Sequence, residues 1–122
     1  MNESAEDYIK TIYILKDRIE CVRSIDVAHE LGFSRASVST AMANLKNKGI
    51  ISMQRSGEID FTESGKVVAQ EIYERHATLS ELLQTIAGVD ERTAKEDACK
   101  IEHFLSKSTL DGIKRYICNK QK

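Results

Sequence analysis

The sequence changes its period once, and that change limits the fold more than any other feature. Up to residue 48 apolar residues recur at three- and four-residue intervals. From Ile50, Ile51 and Met53 to Ile59 and Phe61 they instead flank a polar turn at Arg55, Ser56 and Gly57, the pattern of a two-stranded hairpin. Two short helical stretches stand just before it. Residues 24–31 start at Ser24 as N-cap, place Val27, Ala28 and Leu31 on one face and stop at Gly32, as a glycine-terminated helix does. Ser34 caps a further helix through residue 48, with Val38, Met42 and Leu45 inward and Arg35, Ser37, Ser39, Thr40 and Lys46 on other faces. Two helices joined by a glycine turn, the second polar and basic outside, make a helix-turn-helix, and a hairpin directly after it makes the winged form. Short hydroxyls and cations suit phosphates and base edges, so Ser34, Arg35, Ser37, Ser39 and Thr40 are read as DNA-facing. Arg55, at the wing tip, is read as a phosphate contact; an ordinary solvated turn arginine is the competing reading.

Charge agrees with this placement. Residues 21–57 carry five basic side chains (Arg23, Arg35, Lys46, Lys48, Arg55) against two acidic ones (Asp26, Glu30), a net +3 on a chain of net charge −1. A positive segment on an otherwise acidic protein points to nucleic acid. The apolar fraction of 41% argues against disorder, and no apolar run is long enough to span a membrane. The acidic, polar N-terminus has no signal-peptide pattern, which predicts a cytoplasmic protein whose Cys21, Cys99 and Cys118 stay reduced.

The flanking segments are helical. Residues 4–18 repeat apolar positions at Tyr8, Ile9, Ile12, Tyr13 and Leu15, with Ser4 as candidate cap. Thr62 caps a helix that runs to about Arg75 or beyond. A further helical stretch from His76 carries Leu79, Leu82, Leu83 and Ile86 to a break at Gly88; these leucines and the isoleucine are expected to be buried, part in a dimer interface and part under the winged helix. Asp90 then caps a helix that carries Cys99, Glu102 and His103, and Ser106 or Ser108 caps a last one. The fold class expected is mainly α: a winged helix-turn-helix DNA-binding domain over residues 1–72, then a helical metal-binding and dimerisation domain over residues 73–122.

Cys99, Glu102 and His103 stand at i, i+3 and i+4, which puts thiol, carboxylate and imidazole on one helical face. Such a mixed donor set suits a divalent first-row transition metal better than calcium. Three ligands on one face leave the coordination shell open, and a helix with a core cysteine and a solvated Glu-His pair remains the alternative. Asp7 by itself reads as a first-turn acid that complements the helix dipole, and His76 by itself as a half-buried histidine. A small metal hydrolase is disfavoured, because no oxyanion-stabilising or phosphate-cradling loop accompanies the cluster.

Several motifs together resemble the diphtheria toxin repressor family of iron- and manganese-responsive regulators. They are Glu6-Asp7-Tyr8-Ile9 with Ile12-Tyr13, the helix-turn-helix, a wing ending in Thr62-Glu63-Ser64-Gly65, Arg75-His76, and Ala98-Cys99-Lys100-Ile101-Glu102-His103 with Leu105-Ser106. The resemblance covers nearly the whole chain, in the short form similar to the manganese-regulator branch. It implies a homodimeric repressor in which a divalent metal, bound where the DNA-binding and dimer domains meet, switches on binding to inverted-repeat operator DNA. The family's primary metal site then falls on Asp7, Cys99, Glu102 and His103. Asp7 resembles the manganese branch and Cys99 the iron branch, while His76 matches a second-site ligand. Lys10 stands where the manganese branch has a glutamate ligand; Ser80 and Lys95 stand where the iron branch has an ancillary glutamate and histidine. One site per subunit is expected, for Fe(II) or Mn(II), with Zn(II) or Co(II) able to enter in vitro. A winged-helix regulator that senses a small molecule or redox state through Cys99, without metal, is the alternative.

Overall fold

The computed structural model describes residues 2–120. Its elements in chain order are α1 (Glu3–Arg18), α2 (Ser24–Leu31), α3 (Arg35–Asn47), β1 (Ile51–Met53), β2 (Ile59–Phe61), α4 (Glu63–Ala87), α5 (Glu91–Ile101) and α6 (Lys107–Lys120). They divide into two compact units, Met1–Ile72 and Tyr73–Lys122. No described helix is long and apolar enough to cross a membrane.

In the first unit, α1 buries Tyr8, Ile9, Ile12 and Leu15 from a single stripe. Its cap is Asn2, whose side chain accepts the Ala5 N–H at 2.8 Å, not Ser4 as expected. The α2 helix begins at Ser24 itself, so Ser24 is not the cap: Arg23 is, and its backbone N–H donates to Asp26 Oδ2 at 2.9 Å. Gly32 closes α2 at φ 69°, a left-handed conformation that costs a glycine nothing. Val38, Met42 and Leu45 of α3 face the same core as Ile50, Ile51 and Ile59.

The hairpin pairs antiparallel, Ile51 with Phe61, Ser52 with Asp60 and Met53 with Ile59. Its turn is closed by Gln54 N–H to the Glu58 carbonyl at 2.9 Å, with Gly57 at φ 89° supplying the positive-φ residue that a three-residue hairpin loop needs. Thr62 caps α4 by accepting the Gly65 N–H at 3.0 Å. Gly65 is buried against the Ile50 carbonyl so closely that any Cβ there would overlap the oxygen.

The stretch from His76 is not a separate helix. It continues α4, which runs unbroken from Glu63 to Ala87 because neither glycine nor proline interrupts it between Gly65 and Gly88. In the second unit Asp90 caps α5 by accepting the Thr93 N–H at 2.8 Å, and Ser106 accepts the Thr109 N–H at 3.2 Å to start α6. The α5 helix ends at Ile101, earlier than the i, i+3, i+4 spacing implies. Glu102 is its C-cap, and His103 lies in the turn that follows.

Candidate metal centre and nucleic-acid interface

On the first unit, every side chain read from the sequence as DNA-facing lies at the surface: Ser34, Arg35, Ser37, Ser39 and Thr40 at and along α3, and Arg55 at the wing tip. The hydroxyls are not idle in the free chain. Ser34 caps α3 by accepting the Ser37 N–H at 3.2 Å and donates to Ser37 Oγ at 3.0 Å, and Thr40 donates to the Ala36 carbonyl at 3.1 Å. Each keeps oxygen lone pairs for a further donor. Arg35 and Ser39 share a shallow concavity with Ser24 and Ile25 from the start of α2. Those last two residues are not among the ones the sequence singles out as DNA-facing, Ser24 being read there as a helix cap.

The second unit holds the charged cluster. Glu102 has no exposed surface, although a lone buried carboxylate costs several kcal/mol. Each of its oxygens faces an imidazole: Oε2 lies 2.9 Å from His76 Nδ1, within hydrogen-bond reach, and Oε1 lies 3.5 Å from His103 Nε2. Cys99 Sγ is 3.9 Å from His76 Nδ1. Ligand atoms of His76, Cys99 and Glu102 all fall within 4.8 Å of one another, so α4, α5 and the α5 C-cap bring nitrogen, sulfur and oxygen donors to one place. That combination fits a divalent first-row transition metal, which accepts imidazole, thiolate and carboxylate together. His76, which the resemblance set apart as a second-site group, is here tied directly to Glu102. The signal was hidden because 26 residues separate the two in sequence.

Asp7 lies in the first turns of α1, within the first unit, and Lys10 one turn further on. Lys10 is 6% exposed, with Nζ 3.8 Å from Asp7 Oδ1, so it does not point into solvent.

The matches to known proteins follow the same division. Residues 1–58 match the family described as "Iron dependent repressor, N-terminal DNA binding domain", and residues 62–122 match "Iron dependent repressor, metal binding and dimerisation domain". The chain is 31% identical over 118 residues, 96% of its length and 94% of the other's, to an uncharacterised HTH-type transcriptional regulator of Methanocaldococcus jannaschii. It is 32% identical, over 93% of its length and 73% of the relative's, to the transcriptional regulator MntR of Escherichia coli O157:H7. Among solved structures, IdeR of T. acidophilum superposes with a TM-score of 0.82 at 25% identity, covering 91% of this chain and 53% of that one. Against that structure the chain spans about half the other's length. The chain therefore belongs to the iron-dependent, diphtheria toxin repressor family of dimeric, metal-dependent transcriptional regulators that bind DNA.

Proposed function

We propose that this protein is a repressor activated by Fe(II) or Mn(II), with one ion per subunit held by Asp7, Cys99, Glu102 and His103 and with His76 bound to Glu102. The observation that carries this reading is the fully buried Glu102 carboxylate, facing two imidazoles and close to a thiol. When bound, the ion supplies positive charge that offsets the carboxylates and the Cys99 thiolate. Glu102 presents its oxygens from a fully buried position, and His76 fixes the direction of one of them. Asp7 belongs to α1, the other donors to the second unit. A donor set completed from both selects the DNA-competent arrangement, by about 2.7 kcal/mol at a hundredfold excess of ion over its dissociation constant. The two α3 helices of the dimer then meet successive major grooves of an inverted-repeat operator, Ser37, Ser39 and Thr40 at base edges, Arg35 and Ser34 at bases or phosphates, and Arg55 at a wing phosphate.

The thiolate softens the site and favours Fe(II), with Mn(II) next and Zn(II) or Co(II) able to bind in vitro. The buried Lys10 ammonium beside Asp7 supports one ion per subunit, because a fixed cation there repels a second. Operator-fragment binding titrated anaerobically with Fe(II), Mn(II), Co(II) and Zn(II) tests the reading, with metal analysis of the loaded protein. The expected result is metal-dependent binding at one ion per subunit, and two Mn(II) per subunit after Cys99→Glu with Lys10→Glu. Two tightly held Mn(II) ions in the unaltered subunit, or operator binding indifferent to metal, would overturn it.

A further inference from the structure

The wing is anchored by side chains that no DNA contact requires. The Arg23 Nε–H donates to the Ser56 carbonyl at the wing turn at 3.0 Å, and the Arg23 side chain runs along Gly57, with its Cδ 3.8 Å from where a Cβ of Gly57 would stand. The backbone at this end is equally fixed: Arg23 N–H donates to Asp26 Oδ2, and the neighbouring Val22 carbonyl accepts the Ile59 N–H at 2.8 Å. The segment before α2 thus grips the hairpin twice, by backbone at β2 and by side chain at the turn.

We infer that Arg23 is a positioning residue for DNA recognition, holding the turn that carries Arg55 at a fixed place beside α2. The inference rests on the DNA-binding function of the family and adds to it a residue whose task is to order the wing before DNA arrives. The physical ground is entropic. A three-residue turn with an exposed arginine at its tip must be immobilised when Arg55 meets a phosphate, and a turn already tethered loses less freedom at that moment. Arginine suits the task because Nε lies partway along the side chain and can bond the carbonyl while the charged end of the guanidinium stays at the surface.

Arg23→Lys separates tether from charge. Lysine keeps the positive charge but has a methylene where arginine has Nε. In the unbound protein, amide exchange at Ser56, Gly57 and Glu58 should quicken about tenfold in Arg23→Lys, a readout that needs neither metal nor DNA. In operator binding at saturating metal, Arg23→Lys should weaken affinity about tenfold with the salt slope unchanged. Arg55→Ala made in the Arg23→Lys background should then cost less than half, in logarithmic terms, of what it costs alone. Unchanged exchange in Arg23→Lys, or strictly additive effects of the two substitutions, overturns the proposal and leaves Arg23 as a surface charge only. A protein that shows the exchange effect yet binds no operator would refute the DNA-binding reading and not the tether.

Discussion

In the first unit Ile9, Ile12, Val27, Val38 and Ile59 are wholly buried among one another, whereas the large wholly buried side chains described in the second unit are Leu79 and Glu102. The second unit's other buried apolar groups include the small Ala94 and Ala98, while Phe104 and Ile86 stand 78% and 63% exposed. The winged helix encloses a contiguous apolar core of its own, enough to fix the geometry of its DNA-facing surface without help. The metal-binding and dimerisation unit places a polar cluster in its interior and leaves Phe104 and Ile86 outside. The expectation that Leu79, Leu82, Leu83 and Ile86 are all buried holds within the single chain for Leu79 alone. Leu82 and Leu83 are half-buried and Ile86 is exposed.

The contrast breaks most readily in the first unit. Ile12→Ala should cost about 2–5 kcal/mol in denaturant unfolding, the usual toll of a cavity in a packed core. A loss under about 1 kcal/mol would mean that this core is not what holds the unit. In the second unit, Glu102→Gln keeps the shape and removes the charge. Operator affinity at saturating metal should fall about a hundredfold, and the thermal stabilisation that metal gives the unaltered protein should vanish; stabilisation that survives the substitution would remove Glu102 from the ion's donors.

Next in size is assembly. Sedimentation should show a dimer at micromolar concentration without metal, and Ile86→Glu with Phe104→Glu should raise its dissociation constant at least about tenfold. Monomers of the unaltered metal-free protein would show that the ion, rather than apolar burial, holds the copies together. Arg55→Ala should weaken all DNA about fivefold and lower the salt slope by about 1, whereas Thr40→Ala should weaken the operator more than random DNA; an unchanged salt slope takes the wing off the DNA.

The smallest effect concerns Asp60. A hydrogen bond from Gln54, then one from Lys16, hold its carboxyl below the ordinary aspartate value. A carboxylate lowered on folding stabilises the wing above its unfolded pKa, and that contribution is lost as pH falls through the folded pKa. Protection of the β2 amides, taken relative to their intrinsic exchange rates, should therefore fall on acidification below about pH 4 and lose that pH dependence in Asp60→Asn. An equal loss of protection in both proteins would mean that the Asp60 pair does not steady the hairpin.

What the sequence disclosed and what it hid divide along local and distant interactions. The α3 cap at Ser34, the stop at Gly32, the hairpin with its turn and the caps Thr62, Asp90 and Ser106 each follow from residues a few positions apart. Asn2 displaced Ser4 as the α1 cap because both can accept an N–H and the periodicity does not fix which turn comes first. The sequence leaves the full length of α4 open, one helix running to about Arg75 or beyond and a further helical stretch starting at His76. The link from His76 to Glu102 and the two clamps on the wing, Lys16 to Asp60 and Arg23 to Ser56, join residues 26, 44 and 33 positions apart, and no local pattern announces them.

Gly65 carries a consequence for how this sequence can vary. The Ile50 carbonyl that any Cβ at this position would meet is held in place by the Thr62 N–H at 3.0 Å and the Thr62 hydroxyl at 3.2 Å, and the Gly65 N–H is itself bonded to that hydroxyl. Neither side of the contact can retreat without giving up the cap of a 25-residue helix. In a saturation library scored for folding, position 65 should therefore accept one amino acid out of twenty, although its helical backbone would suit most of them, and drift along this lineage is closed there to every single-nucleotide change that alters the residue.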